Sequence, residues 1–291
     1  MSECSNIDAA QSDIFDWAPA ELVQDLPGPT GSDAEGGRFA LIVLNQPLHH
    51  LEVTRKLWNN AHVRIAADGG ANALYQAAGQ QGDSSFDDLA LIIGDLDSLS
   101  PSVRTYYETR GGSSGGEGRR NKTQVIRDPD QESTDFGKAV TYVRQHYSQE
   151  SSSRPLDIVA IGGLGGRVDQ GLSQLHHLYL FQAEPRYARG RMYLFSGESM
   201  TFLLKPGTHR IRVRDNQASS KEDVFGKHVG ILPIGRPSRI TTRGLEWDVQ
   251  NWETQFGGRV STSNHVLPET QVVEVQTTEE VLFTIALRQQ T

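Results

Sequence analysis

Residues 89–98 read L-A-L-I-I-G-D-L-D-S. An unbroken apolar run leads into a glycine and two aspartates one residue apart, as expected of a strand buried on both faces where it leaves its sheet at a polar edge. The same texture recurs to either side. Runs at Phe39–Leu44, Val63–Ala67, Gln124–Arg127, Asp157–Ile161 and Arg191–Phe195 alternate with helical stretches near 50–60, 71–78, 101–110, 133–147 and 169–182. This alternation predicts an α/β domain over residues 39–196, a mostly parallel sheet with helices on both faces. Beyond Ser196 short strands take over, at Met200–Leu204, His209–Val213, Val229–Ile234, Arg239–Thr242, Val272–Gln276 and Val281–Leu287, with breaks at Pro206-Gly207, Gly235 and Gly257-Gly258. Residues 197–291 are therefore expected to form an all-β sandwich.

The segment before the first strand differs in kind. Residues 1–38 hold eight acidic residues and one basic one, so this stretch carries −7 of the net charge of −8. Its composition predicts a disordered acidic leader, or alternatively an interaction segment, with neither signal-peptide nor transit-peptide features. The rest of the chain is close to neutral and offers no basic field for nucleic acid. No apolar run approaches the roughly 20 residues that span a bilayer, so no membrane association is expected. Cys4 is the sole cysteine; it excludes an intrachain disulfide and suits a reducing, cytoplasmic setting. The run G-G-S-S-G-G-E-G at 111–118 predicts a mobile insertion over about 111–122, and the polar stretch 215–223 a second loop.

Ligands of open parallel sheets bind at the carboxyl ends of the strands. Here those ends carry Asp68-Gly69-Gly70, Asp95-Leu96-Asp97, Asp128-Pro129-Asp130-Gln131 ahead of Ser133-Thr134-Asp135, and Gly162 to Asp169. Strand alternation would aim Asp95 and Asp97 the same way, and two carboxylates together suit a hard cation such as Mg²⁺, which also takes phosphate oxygens. A lone strand-end aspartate more often caps a helix, but Asp68 and Asp135 on neighbouring ends favour a metal or phosphate site. The glycine-rich turn 162–166 lacks both standard nucleotide fingerprints, since Val168 stands where a third glycine would be needed. It still offers backbone N–H groups and Arg167 to phosphate oxygens. In the second half, Trp247 beside Glu246, with Ser261, Ser263 and Asn264, provides a stacking surface and polar partners for a flat heterocycle, or alternatively a core aromatic and a turn. His49-His50 and His176-His177 lack a zinc-binding spacing and read as surface or packing residues.

As an ordered set, A-D-G-G at 67–70, G-D-L-D-S at 94–98, P-D-Q-E-S-T-D at 129–135, G-G-R-V-D-Q at 165–170, G-L-E-W at 244–247 and S-T-S-N at 261–264 resemble the thiamine pyrophosphokinases of the eukaryotic type. The likeness runs from about Leu41 to Leu287. It implies transfer of pyrophosphate from ATP, the co-substrate, to the hydroxyl of thiamine, giving thiamine diphosphate and AMP by attack at the β-phosphorus. It also implies Mg²⁺ on Asp95 and Asp97 with Asp68 close by, Arg167 on the phosphates, and Asp135 or Asp97 as proton acceptor. Gly69, Gly70, Gln131, Thr134, Gly165, Gly166, Asp169, Gln170, Trp247, Ser261, Ser263 and Asn264 fall in the motifs that contact ATP or thiamine, with Trp247 stacking on the aminopyrimidine and Gln131, Ser261 and Asn264 giving polar contacts. A homodimer with active sites between subunits is implied as well. The rival readings are a D-x-D sugar-nucleotide transferase and a non-catalytic nucleotide- or thiamine-binding sensor.

Overall fold

A computed structural model describes residues 13–24, 39–79, 86–110, 122–147, 155–214 and 223–288. Residues 111–121 of the expected insertion, 215–222 of the second loop, and 1–12 and 25–38 of the expected leader lie outside them. The elements run β1 (Ile14–Trp17), β2 (Phe39–Val43), α1 (Leu51–Asn60), β3 (Val63–Ala67), α2 (Gly70–Gly79), β4 (Leu91–Gly94), α3 (Pro101–Arg110), β5 (Gln124–Arg127), α4 (Asp135–His146), β6 (Asp157–Leu164), α5 (Val168–Leu180) and β7 (Met192–Ser196). Then come β8 (Ser199–Leu204), β9 (Gly207–Arg212), β10 (Phe225–Leu232), β11 (Ser238–Arg243), β12 (Trp252–Thr254), β13 (Ser261–His265), β14 (Val272–Thr277) and β15 (Val281–Leu287). The chain divides into two compact units, one of 21–203 with 286–291, the other of 1–20 with 204–285.

In the first unit the strands lie in the order β8-β7-β6-β2-β3-β4-β5. All neighbours are parallel except β7 and β8, which form a hairpin. That hairpin carries the unit a few residues past the expected boundary at 196. β2 and β4 are buried at every position, as strands covered on both sides must be. Crossovers from β2 to β5 step one way along the sheet and those from β5 to β7 step the other. Right-handed connections therefore place α1, α2 and α3 on one face and α4 and α5 on the other. The direction reverses between β2 and β6, and a crevice opens where their carboxyl ends diverge. A cleft of about 480 Å³ lies there, lined by Gln46, His49 and His50 after β2, Gly162, Gly165 and Gly166 at the end of β6, and Glu198 after β7.

The second unit contains a five-stranded sheet, β1-β9-β14-β11-β12, and the neighbouring strands β13-β10-β15, the expected β-rich architecture. Its first strand corrects the reading of residues 1–38 as wholly disordered. Ile14–Trp17 pairs in parallel with β9, and Phe15 and Trp17 are buried. The Trp17 indole donates to His209 Nδ1 at 3.0 Å, and the Phe15 ring stacks on the same imidazole at 4.9 Å. Within the first unit, Asn60 of α1 donates to the carbonyls of Leu22 and Gln24 at 3.0 and 2.7 Å.

Candidate active site

Three carboxylates converge at the ends of β3 and β4 and the start of α4. One oxygen from each of Asp68, Asp95 and Asp135 lies within 4.8 Å of the others. The backbone builds this cluster. Asp68 N–H donates to Ile93 O at 2.9 Å and Asp128 N–H to Gly94 O at 2.8 Å, zipping the strand ends together. Gly94 is required at their centre, because a Cβ there would lie 2.7 Å from Asp68 Cβ and 2.9 Å from Asp135 Oδ1. Asp68 itself takes a left-handed backbone, φ 42°, at the turn into α2. Asn72 of α2 donates to Ser98 O at 2.7 Å and accepts from Ser100 N–H at 3.1 Å, so the D-L-D-S loop is held from the side.

Asp97 does not join the cluster, contrary to the expected Asp95–Asp97 pair. β4 ends at Gly94, and Leu96 adopts φ 66°, so strand alternation no longer governs the next two side chains. Asp97 is exposed; its N–H donates to Asp95 Oδ1 at 3.1 Å and its carboxylate accepts from Ser98 Oγ at 2.9 Å. Asp135 takes its place beside Asp68 and Asp95.

The electrostatics are those of a site short of positive charge. Asp68 is almost wholly buried, and burial pushes its pKa up to about 6; the Ser98 N–H bond opposes the shift, and Asp135, Asp95 and Asp97 add to it. Its Oδ1 is buried without a hydrogen-bond partner. The N–H of Asp97 holds Asp95 below the ordinary carboxylate value. Lys138, which the sequence reading missed, brings a buried ammonium that donates to Asp135 Oδ1 at 3.4 Å and to Asp128 O at 3.0 Å. One lysine against three carboxylates leaves net negative charge in a confined volume, the donor set that a hard divalent cation satisfies.

The other expected residues divide between the two units. Thr134 caps α4, accepting from Gly137 N–H at 3.1 Å. Its hydroxyl also meets His177 Nε2 at 2.9 Å. Nδ1–H of His177 donates to Ser173 O at 2.5 Å, so Nε2 is the accepting nitrogen and the buried imidazole is neutral, its pKa lowered chiefly by burial. This histidine is thus a buried link between α5 and the start of α4. Gln131 is exposed and bonds Asp95. Gly69 packs on Asn45, and Gly70 opens α2 against Val43 O. Arg167 and Asp169 pair at the exposed start of α5, so the guanidinium is already engaged by a carboxylate, with Gln170 exposed beside them. Trp247, Ser261, Ser263 and Asn264 lie in the second unit, where Trp247 is 55% exposed and therefore not a core residue. Ser261 and Ser263 belong to strand β13 rather than to a turn.

Residues 54–188 match a sequence profile described as thiamin pyrophosphokinase, catalytic domain, and residues 208–282 match one described as thiamin pyrophosphokinase, vitamin B1 binding domain. The chain is 35% identical to "Thiamine pyrophosphokinase 3" of Oryza sativa subsp. japonica, covering 87% of this chain and 88% of that protein. The chain belongs to the thiamine pyrophosphokinase family. A relative from Arabidopsis thaliana, "Thiamine pyrophosphokinase 1", is 36% identical over 89% of this chain and 90% of its own length. The fold matches the crystal structure of yeast thiamin pyrophosphokinase with a TM-score of 0.75 at 24% identity, covering 97% of this chain and 94% of that one. The catalytic-domain profile spans the Asp68–Asp95–Asp135 cluster, and the vitamin B1 profile spans Trp247 and β13. Among the described residues no helix is long and apolar enough to cross a membrane.

Proposed function

We infer that this chain transfers the pyrophosphoryl group of ATP to the hydroxyl oxygen of thiamine, releasing AMP. The convergence of Asp68, Asp95 and Asp135, with the buried, unpartnered Oδ1 of Asp68, carries the reading within a chain of this family. These three residues would hold Mg²⁺, which when bound would neutralise charge on the phosphate oxygens. The thiamine oxygen attacks the β-phosphorus; the new P–O bond forms as the bond from that phosphorus to the α-phosphate oxygen breaks, and AMP leaves with the electron pair. Asp97 accepts the hydroxyl proton. It is exposed and outside the cluster, whereas Asp135 is engaged by Lys138.

The nucleotide is assigned to the cleft at the β2–β6 switch, whose volume suits a small ligand and which ends at the glycine turn before α5. Thiamine's ring is assigned to the exposed face of Trp247, where a cationic heterocycle gains stacking and cation–π attraction. A homodimer with shared active sites is supported by Val168, Leu172 and Leu180, apolar residues of α5 left exposed. The lone cysteine supports a cytoplasmic setting.

Incubation with ATP, Mg²⁺ and thiamine should yield AMP and thiamine diphosphate in equal amounts; ADP with thiamine monophosphate would overturn the reading. Mixing Asp95→Asn chains with Trp247→Ala chains should restore activity if sites are shared. No recovery despite demonstrated subunit exchange would sink the shared site.

A further inference from the structure

Trp247 projects into solvent, yet the turn that carries it is fixed from several directions. Asp248 gathers the turn from within, with Oδ1 accepting from Thr242 Oγ1 at 2.9 Å and Leu245 N–H at 3.2 Å, and Oδ2 accepting from Gly244 N–H at 3.0 Å. Asn264, only 5% exposed, holds both backbone groups of Trp247. Its Oδ1 accepts from Trp247 N–H at 3.2 Å and from His265 N–H at 2.8 Å, and its Nδ2 donates to Trp247 O at 2.9 Å. His265 packs against the indole with ring centroids 5.0 Å apart, and Glu246 fixes that imidazole through a 2.5 Å contact to Nδ1.

β13 is bent to make this possible. Its pairing with β10 shifts register between Val229↔Asn264 and Ile231↔Ser261, which leaves one extra residue on β13, and Ser263 there has φ 57°. A serine in the left-handed region is strained and persists only where its surroundings enforce it. A bulge of this kind re-aims the next side chain, and here the next side chain is Asn264. Every polar atom of its amide described above is spent on backbone, which leaves the indole held while its own surface stays open.

We propose that Asn264 is a positioning residue that acts on thiamine only through Trp247, with the Glu246–His265 pair backing the ring. This rests on the assignment of Trp247 to the thiamine ring. It corrects the expectation that Asn264 touches thiamine directly. A platform already fixed before the ligand arrives loses little entropy on binding, so loosening it should weaken thiamine without touching ATP.

Thiamine affinity should be measured by calorimetry with α,β-methylene-ATP present, in the wild type and in Asn264→Ala, Asn264→Asp, Trp247→Ala and the Trp247→Ala/Asn264→Ala double variant. Asn264→Ala should weaken thiamine roughly 5- to 30-fold. Asn264→Asp keeps the acceptor but faces Trp247 O with a second acceptor, so it should weaken thiamine too. Tighter binding by the aspartate would place residue 264 against the cation itself and overturn the proposal. In the Trp247→Ala background, Asn264→Ala should add nothing; a further loss of similar size would equally overturn it. The chain has four tryptophans, so ¹⁹F spectra of 5-fluorotryptophan protein supply a readout independent of binding. The Trp247 resonance should shift in Asn264→Ala while those of Trp17, Trp58 and Trp252 stay in place. An unmoved Trp247 resonance refutes the mount, whereas unchanged thiamine affinity in Trp247→Ala refutes the thiamine assignment instead.

Discussion

The carboxylate cluster and the Trp247 mount are built on opposite principles. Around Asp68 the protein gathers like charges, buries one carboxylate oxygen without a partner and supplies a single lysine in return. Around Trp247 every described polar group of Asn264 and Asp248 is matched, and what remains open is apolar surface. The first arrangement leaves like charges uncompensated, and under the proposed function a cation and phosphates would complete it. The second has its hydrogen bonds complete beforehand and would change little if a ring stacked on it. A site for charge can be left frustrated because the ligand relieves the frustration on binding, while a site for a flat ring needs rigidity, because stacking gains only about 0.5–1.5 kcal/mol and is easily lost to motion.

The sharpest way to break this contrast is to neutralise the acids singly. Mg²⁺ should raise the melting temperature of the wild type, and Asp68→Asn, Asp95→Asn and Asp135→Asn should each abolish that rise and lower kcat by on the order of 10²–10³. Asp97→Asn should lower turnover while keeping that rise. If it loses the rise as well, Asp97 belongs to the cation site. Next in size is the support beneath the second unit. Removing residues 1–12 should leave the melting temperature unchanged, whereas removing 1–20 takes Phe15 and Trp17 from the core and should cost at least about 3 kcal/mol. Equal stability of the two truncations, read from denaturant titrations, would show that β1 is dispensable.

Trp247→Ala should raise the thiamine KM roughly 5- to 150-fold, corresponding to about 1–3 kcal/mol, while the ATP KM and the melting temperature barely move. Parallel losses for both substrates together with a lower melting temperature would make the indole structural instead. The smallest effect concerns His177. Because burial holds its folded-state pKa below the ordinary 6.5, the unfolded chain takes up its proton first as pH falls. Stability should therefore decline below about pH 6.5 until the folded pKa is passed. His177→Gln, which retains an acceptor for Thr134, should flatten that decline in melts between pH 7.5 and 5; an unchanged slope would assign the decline to other groups.

Much of the first unit was legible because parallel strands buried on both faces leave continuous aliphatic runs, and the motifs fall where those runs stop. Period-two reasoning failed at Asp97 because it was carried past Gly94, and no propensity announces a leucine at positive φ. β1 was hidden by averaging: the alternation of Phe15 and Trp17 is plain over four residues but submerged among the acids of the first 38. β13 was missed for the opposite reason, since S-T-S-N-H has no apolar face to alternate. Lys138 had one readable signal, its place one turn after Asp135. Asn264 had none, because an amide side chain reads alike whether it faces a ligand or a backbone.

β1 also sets an order on how the protein comes into being. Trp17 and His209, the pair that fastens the first strand, are separated by 192 residues. At about 5–20 residues per second of synthesis, Phe15 and Trp17 wait roughly 10–40 s before their partner strand exists. Residues 21–203, most of the unit that carries the carboxylates, lie between the two and can meanwhile fold, leaving only the strip from 286 onward to be added. The unit spanned by the vitamin B1 profile therefore closes only after most of the carboxylate-bearing unit has been made, and the aromatic pair of β1 is the stretch most in need of shelter until then.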